Sequence, residues 1–356
     1  MKSIEDYVKL EPKIFKQIYD KRNELLKDFL TKVSNKEFDD IVIYATGSSS
    51  NAAYTAQPFL SKVLQKPVYI FEPSLILGST PVFSKRTLYL AISEGGHSRS
   101  IEKIIELLQA QTKLVWLITS NLDSPVGNKA NNKLFLGMKE EMPYVSAGFS
   151  SEVLFLALLA LEFSKVQEII SVSEYSIYQS DIEKFLIELP ECINQAELYV
   201  NKNKDYLSEK KRFIFIGYGA TYGIAREAET KITETFGHSA WGKELEEYMH
   251  GPYLGLKSDD FICFIDGKGI LQEREQKLCK FLKEYVKDVC LFTTDSNLKF
   301  NQNLDFKFES KIIQTLSALL LVIPIHLLAF KLSQIKGISL ETSRYPDFDK
   351  LTHSKI

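Results

Sequence analysis

Short continuous apolar runs alternate with amphipathic stretches along most of the chain. DDIVIYATG (39–47), TLYLAIS (87–93) and KLVWLITS (113–120) have the length and β-rich composition of strands. Between them, NAAYTAQPFLSKVL (51–64) and SIEKIIELLQAQ (100–111) read as helices. Uninterrupted apolar strands separated by helices predict a parallel sheet covered on both faces. Ahead of this block, Ile4, Val8, Ile14, Ile18, Leu25 and Leu26 recur at roughly helical spacing. They predict a leading helix over the first thirty residues, with Pro12 permitting a kink. A long helical stretch from about 150 to 204, broken near Val172 and by Pro190, separates this block from a second one.

The second block restarts the pattern. RFIFIGYGA (212–220), DFICFID (260–266) and DVCLFTTD (288–295) read as strands. TYGIAREAETKITETF (221–236), LQEREQKLCKFLKEYV (271–286) and 312–335 read as helices. The chain is therefore an approximate duplication of a β-Gly-α unit, of fold class α/β, with each half a parallel sheet flanked by helices in three layers. The expected domains are a leading helix at 1–30, a first α/β domain at 31–190, a second at 191–335, and an extended tail at 336–356. A length of 356 residues suits two such domains.

The apolar stretch 312–330 is just long enough to span a bilayer. It carries Gln314, Thr315, Ser317, Pro324 and His326, and no second span is expected, so it reads as a buried core or interface helix. The N-terminus lacks the apolar centre of a signal peptide. Cys192, Cys263, Cys279 and Cys290 form no CxxC pair and no metal-spaced Cys/His cluster, which fits reduced thiols in a cytoplasmic protein. The 44 Lys+Arg nearly balance the 46 Asp+Glu, which argues against a nucleic-acid binder. No metal, organic cofactor, nucleic-acid partner or membrane partner is indicated.

Three segments carry candidate chemistry. ATGSSSNAA (45–53) ends a strand, turns at Gly47 and opens a helix with Ser48 and Ser49 in its first turn. AISEGGHSRS (91–100) repeats that logic with Ser93, Glu94 and Ser98. A helix start offers unpaired N–H groups to an anion, and hydroxyls add donors without charge. Each segment alone is also an ordinary helix cap. Two converging ones favour a phosphate, and neither fits a P-loop or a GxGxxG fingerprint, so a group smaller than a nucleotide is expected. The third segment, 227–256, places Lys231 and Glu234 on one helix face, then Glu247 and His250-Gly251-Pro252. Residue by residue, a surface ion pair and a turn histidine account for it equally well.

Taken together, these segments resemble the sugar isomerase (SIS) domain family, in the tandem arrangement of the isomerase half of glucosamine-6-phosphate synthase. The resemblance covers about residues 30–356. ATGSSSNA resembles that family's CGTSYNA loop and SEGGHS its SQSGET loop. Lys231, Glu234 and His250 match its KxxE…HGP motif at the same spacing, and IPIHLLAFKLSQIKG with a lysine-bearing tail matches its C-terminal helix and tail. The resemblance implies that Gly47, Ser48, Ser49, Ser93 and Ser98 surround a substrate phosphate. It implies Glu234 as the base moving a proton between C1 and C2 of the open-chain sugar, with Lys231 beside it. It implies His250 as the residue assisting ring opening, contributed across a homodimer interface, and Lys350 as the counterpart of the tail lysine. Glu247 and Glu94 are further candidates for substrate contact.

Two departures shape the expected function. The chain opens MKSIEDY with no nucleophilic cysteine, so no glutaminase activity is expected. Glu94 and Gly95 stand where the synthase has Gln and Ser. Deglycase relatives can carry an acid at the first position, which suggests that Glu94 contacts a substrate ammonium or is turned away from the phosphate. The expectation is a cytoplasmic phosphosugar isomerase-type enzyme acting on a phosphorylated amino sugar or sugar–amine conjugate. Deglycation of a fructosamine 6-phosphate and deamination of glucosamine 6-phosphate both fit. The alternative is a non-catalytic sugar-phosphate-binding regulator, which would not need the Lys231–Glu234–His250–Lys350 set.

Overall fold

The computed structural model describes residues 2–298 and 303–356. Two parallel sheets of five strands carry the fold among the described residues. The first holds β1 (Asp40–Tyr44), β2 (Val68–Phe71), β3 (Thr87–Ile92), β4 (Val115–Thr119) and β5 (Lys133–Phe135), in the order β2-β1-β3-β4-β5. The second holds β6 (Arg212–Gly217), β7 (Ser239–Glu244), β8 (Phe261–Asp266), β9 (Asp288–Thr293) and β10 (Phe306–Lys307), in the order β10-β9-β8-β6-β7. Counted from its own first strand, each sheet runs 2-1-3-4-5, so the duplication expected from the sequence extends to topology. In each, strand order reverses beside the first strand, and that switch point is where open α/β sheets hold ligands.

The central strands form because their residues are apolar on both faces: all six residues of β3, β8 and β9 are buried. Helices supply the covering layers. In the first sheet, Ile101, Ile104, Ile105 and Leu108 of the helix Arg99–Gln109 pack with Val42, Tyr89 and Leu117. In the second, Leu278, Cys279 and Leu282 of the helix Gln272–Lys283 pack with Ile214, Ile262 and Leu291. Each fully buried Leu or Ile contributes about 1.5–3 kcal/mol relative to exposure. The four cysteines are free and buried.

Several boundaries differ from the sequence reading. The leading helix breaks at Lys21, giving Ile4–Asp20 and Arg22–Val33, and passes through Pro12. The helix Val172–Ser208 continues through Pro190, so the boundary expected there falls inside a helix. A proline removes one ladder bond, and the remaining bonds of so long a helix outweigh it. The chain divides instead into two compact units. One comprises residues up to Pro12, Met142–Ser146 and Gln179–Glu341; the other comprises Lys13–Glu141, Ala147–Tyr178 and Thr342–Ile356. Among the described residues two helices, Ala147–Val166 and Gln314–Ile335, are long and apolar enough to cross a membrane, where the sequence reading expected one. Both are almost wholly buried inside the protein, which is how a core helix satisfies the same length and composition.

The two switch points share a backbone device and differ in chemistry. Gly47 (φ 58°, ψ −136°) follows β1 and Gly219 (φ 56°, ψ −129°) follows β6; each starts a helix from a conformation that only glycine adopts without strain. After Gly47 come serines. In the second sheet the rim is filled: a Cβ on Gly269 would lie 2.4 Å from the Tyr218 ring and 2.6 Å from Gln314 Nε2. Asp266 ends β8, at the place where Ser93 follows β3, and accepts bonds from Lys268 N–H, Gln272 Nε2 and Thr293 Oγ1. Nearby, Glu275 is buried with neither carboxylate oxygen hydrogen-bonded, against a cavity of about 80 Å³ lined also by Asp266 and Gln272. Burial, then the Asp266 charge, pushes its carboxyl well above the ordinary value of 4.5.

Two predictions follow from this packing. A Cβ at Gly242 in β7 would sit 2.2 Å from the Ala225 carbonyl oxygen, whereas at Gly255 it would meet only the Trp241 ring edge at 3.8 Å. Gly242→Ala should cost about 3 kcal/mol or more, read as a large drop in Tm, while Gly255→Ala leaves Tm nearly unchanged. For Glu275, the folded state binds the proton more tightly than the unfolded chain, so its contribution to stability is lost as pH rises above 4.5. Glu275→Gln should therefore raise Tm relative to the parent at pH 8, by an amount that shrinks at pH 5. Equal differences at both values would show that Glu275 is not held protonated.

Candidate active site

At the first switch point β1 and β3 pair in parallel with Tyr44 opposite Ala91, so their C-terminal ends are neighbours. The helix Ser48–Leu64 begins at Gly47, whose carbonyl accepts from Asn51 N–H at 3.0 Å. Gly47 is exposed and Ser48 half-buried, whereas Ser49 and Ser50 are buried. Ser49 donates its hydroxyl to Glu152 Oε1 at 2.8 Å. Ser50 donates to Glu72 Oε1 at 3.2 Å. Ser49 is thereby oriented from behind by an acid of the buried helix Ala147–Val166, a partner that the sequence reading did not anticipate.

Ser93 follows β3 and bonds through its N–H to Ile118 O at 3.1 Å. Ser98 caps the helix Arg99–Gln109, its hydroxyl accepting from Ile101 N–H at 3.5 Å and lying 3.1 Å from Ser100 Oγ. Gly47, Ser48, Ser49 and Ser93 thus follow the C-terminal ends of the paired strands β1 and β3, and Ser98 begins the helix after β3. Glu94 directs its backbone carbonyl to Ser120 N–H, Ser120 Oγ and Thr119 Oγ1. Burial raises its carboxyl above the ordinary value, against the opposing influence of the Ser120 hydroxyl, the Glu140 backbone and Lys139. A carboxyl that keeps its proton more readily is a weaker repellent of a phosphate than an ionised one.

The tail has more structure than the extended segment expected from the sequence. Lys355 forms an antiparallel bridge with Ser98, Ile356 N–H bonds His97 O at 3.0 Å, and Arg99 N–H bonds Ser354 O at 3.2 Å. Lys350 lies exposed on the short helix Phe348–Thr352, so the tail lysine beside Ser98 is Lys355. Lys355 itself pairs with Asp349 at 2.9 Å.

In the other unit the helix Ala220–Lys231 runs into a π-turn, Ile232–Phe236, closed by a Gly237 N–H bond to Ile232 O. Thr235 Oγ1 reaches Lys231 O at 2.8 Å and Ala329 O at 3.1 Å, fastening the turn to the helix Gln314–Ile335. Such turns insert an extra residue into a helix and often lie at functional sites. Lys231 is 1% exposed; its Nζ lies 2.9 Å from Glu234 Oε2 and 3.3 Å from Glu227 Oε1. Burial alone would lower the lysine, but the two carboxylates outweigh it and hold the ammonium charged. Glu234 keeps 39% of its side chain exposed, so the carboxylate combines a fixed edge with an open one. His326 Nε2 lies 3.5 Å from Glu227 Oε1, and both residues are fully buried. Neither Glu227 nor His326 was singled out from the sequence. The i−4 spacing of Glu227 from Lys231 was the available signal for the first; His326 had none, standing alone in an apolar helix.

Glu247 and His250 sit further along the same unit. Glu244 caps the helix Leu245–Met249 by accepting from Glu246 N–H at 2.7 Å and Glu247 N–H at 3.0 Å. His250 ends that helix, its N–H bonded to Glu247 O, and both side chains are exposed. Among the described residues no group of three His, Cys, Asp or Glu gathers with the geometry of a metal site. A cavity of about 550 Å³, at the N-terminal end of β4 beside Lys32, Lys113 and Trp116, is lined by none of these candidates.

Known proteins share this architecture. A protein of Clostridium difficile 630 assigned as a phosphosugar isomerase superposes over 100% of this chain and 99% of its own, with TM-score 0.87 and 22% identity. The C-terminal domain of glucosamine-fructose-6-phosphate aminotransferase from Francisella tularensis matches over 96% and 98%, with TM-score 0.84 and 18% identity. Glucosamine-6-phosphate deaminase from Thermotoga maritima matches over 94% and 98%, with TM-score 0.70 and 22% identity. In sequence, the glutamine–fructose-6-phosphate aminotransferase of Clostridium perfringens is 25% identical over 348 residues, 92% of this chain and 54% of that one. The chain spans about half the length of the curated relatives it matches. The chain thus matches the SIS domain over residues 36–164, is similar in sequence to glutamine–fructose-6-phosphate aminotransferases over about half their length, and shares the fold of proteins assigned as phosphosugar isomerases.

Proposed function

We propose that this protein is a phosphosugar isomerase-type enzyme acting on an amino-sugar phosphate or a sugar–amine conjugate. Fructosamine 6-phosphate deglycation and glucosamine 6-phosphate deamination are the reactions favoured. The observation that carries the reading is Glu234: one oxygen is fixed by the buried Lys231 ammonium while the side chain remains open to solvent. A carboxylate in that state can take a proton from one sugar carbon and return it to the next. The adjacent ammonium can stabilise the oxyanion of the enediol or enolamine.

In the proposed reaction, the rim of Gly47, Ser48, Ser49, Ser93 and Ser98 holds the substrate phosphate through helix N–H groups and hydroxyls, with Ser49 serving through its backbone N–H because its hydroxyl donates to Glu152. Fixing that handle orients the reacting carbons. His250, from the partner subunit of a homodimer, assists ring opening, and Lys350 or its neighbour Lys355 serves the carbonyl end. Loss of the amine balances by hydrolysis: water enters, the C–N bond breaks, and the amine leaves with a proton. Glu94, whose carboxyl burial inclines to keep its proton, is ionised by the substrate ammonium beside it and so selects the amine-bearing substrate.

Glu234→Gln should lower kcat by about 10²–10⁴-fold and leave the affinity for an unreactive sugar phosphate nearly unchanged. Turnover surviving that change would remove Glu234 as the base. A panel of glucosamine 6-phosphate, fructose 6-phosphate and fructose- and glucose-amino-acid 6-phosphates, assayed for released amine and hexose phosphate, should show preference for an amine-bearing member. Glu94→Gln should weaken that preference. An unchanged preference would confine Glu94 to its contacts with Ser120 and the Glu140 backbone.

A further inference from the structure

The roles assigned to Lys231 and Glu234 leave Glu227 and His326 unexplained, although both are completely buried. His326 lies in Gln314–Ile335, within the run IPIHLLAF, where every neighbour from Ile323 to Phe330 is apolar and buried. Placing an imidazole there carries a desolvation cost that a leucine would avoid. Its Nε2 lies 3.5 Å from Glu227 Oε1, and the same oxygen lies 3.3 Å from Lys231 Nζ. Lys231 Nζ in turn lies 2.9 Å from Glu234 Oε2. Four side chains from two helices and the π-turn therefore form a row that begins in the core and ends at the exposed carboxylate.

The order of charges along the row has a physical consequence. Lys231 stands between Glu227 one turn before it and Glu234 in the turn after it. With a carboxylate on each side, the ammonium is held in one place, and Glu234 receives its bond at Oε2 alone. Without Glu227, a flexible lysine side chain carrying three donors could chelate both oxygens of Glu234 or swing away from it. Burial lowers the His326 imidazole below its ordinary value; Glu227 opposes this and Lys231 adds to it. A neutral imidazole protonated at Nε2 is a donor suited to fixing the Glu227 carboxylate.

We propose that Glu227 and His326 are positioning residues: His326 holds Glu227, Glu227 holds Lys231, and together they leave one oxygen of Glu234 free for the substrate. This rests on the reading of Glu234 as the base. The test compares His326→Leu, His326→Gln and Glu227→Gln by kcat, KM and Tm. Misplacing a reacting group by about 1 Å can cost about 10²-fold, so His326→Leu and Glu227→Gln should lose up to about that much kcat with KM little changed. His326→Gln, whose carboxamide can still donate, should recover most of the kcat lost in His326→Leu. Wild-type kcat in His326→Leu, or equal loss in the Leu and Gln variants tracking a common fall in Tm, would overturn the proposal. A second readout needs no substrate: ¹⁵N spectra of the five histidines should show His326 neutral with the proton on Nε2 at pH 7. A proton on Nδ1 alone, or an imidazolium, would refute the row. A wild-type protein inert on every phosphosugar with the Nε2–H form present would overturn the base assignment instead, and retain the His326–Glu227 contact.

Discussion

A lysine ammonium buried to 1% exposure must be neutralised where it stands, and the helix Ala220–Lys231, its π-turn and the helix Gln314–Ile335 meet that requirement together. The effective penalty for burying an ion is several kcal/mol, and one carboxylate of poor geometry does not offset it. Lys231 has two, at i−4 and i+3 on its own helix. The i+3 partner is reached where the helix widens into a π-turn, and that turn is fastened to the Ala329 carbonyl of the helix Gln314–Ile335. The same long helix brings His326 to the Glu227 oxygen that also faces Lys231. Its apolar composition, which alone resembles a membrane span, is the composition needed to keep this cluster dry.

The two halves show how one topology comes to hold two chemistries. Each sheet runs 2-1-3-4-5, and each first strand ends at a glycine with nearly the same backbone angles. At the first rim, a helix N-terminus and small hydroxylated residues suit an anion. At the second, Tyr218 and Gln314 occupy the corresponding space and Asp266 takes the strand-end position. The second rim is thus hostile to phosphate, while the helix leaving it carries Lys231. Near-neutral overall charge is compatible with this division, because hydroxyls and backbone amides bind an anion without adding cationic residues.

Central strands were legible because they are apolar on both faces; DIVIY, TLYLAI, FICFID and DVCLFT need no context to be read as buried strands. Edge strands were not. SAWGKE in β7 mixes small, aromatic and charged residues because one side of an edge lacks a covering neighbour, and it reads as a loop. Prolines misled for a related reason: Pro190 signals a break, yet tertiary packing carries the helix Val172–Ser208 through it. At the site, spacing placed Lys231 and Glu234 on one helix face, but only the likeness to a KxxE…HGP motif marked them as candidates. His326 was invisible, because the residue it meets lies about one hundred positions earlier in the chain. The tail shows the same limit, since the pairing of Lys355 with Ser98 is a backbone contact that no side-chain pattern announces.

The central claim is that Glu234 moves a proton on the carbon skeleton of a phosphorylated sugar. Incubation of the wild-type protein in D₂O with each sugar phosphate, followed by NMR of the recovered sugar, tests it most directly. The account predicts deuterium at C1 or C2 of at least one substrate, through reversible enediol or enolamine formation, and none with Glu234→Gln. Saturable binding of a sugar phosphate with no deuterium incorporated at either carbon would contradict it and mark the protein as a binding module.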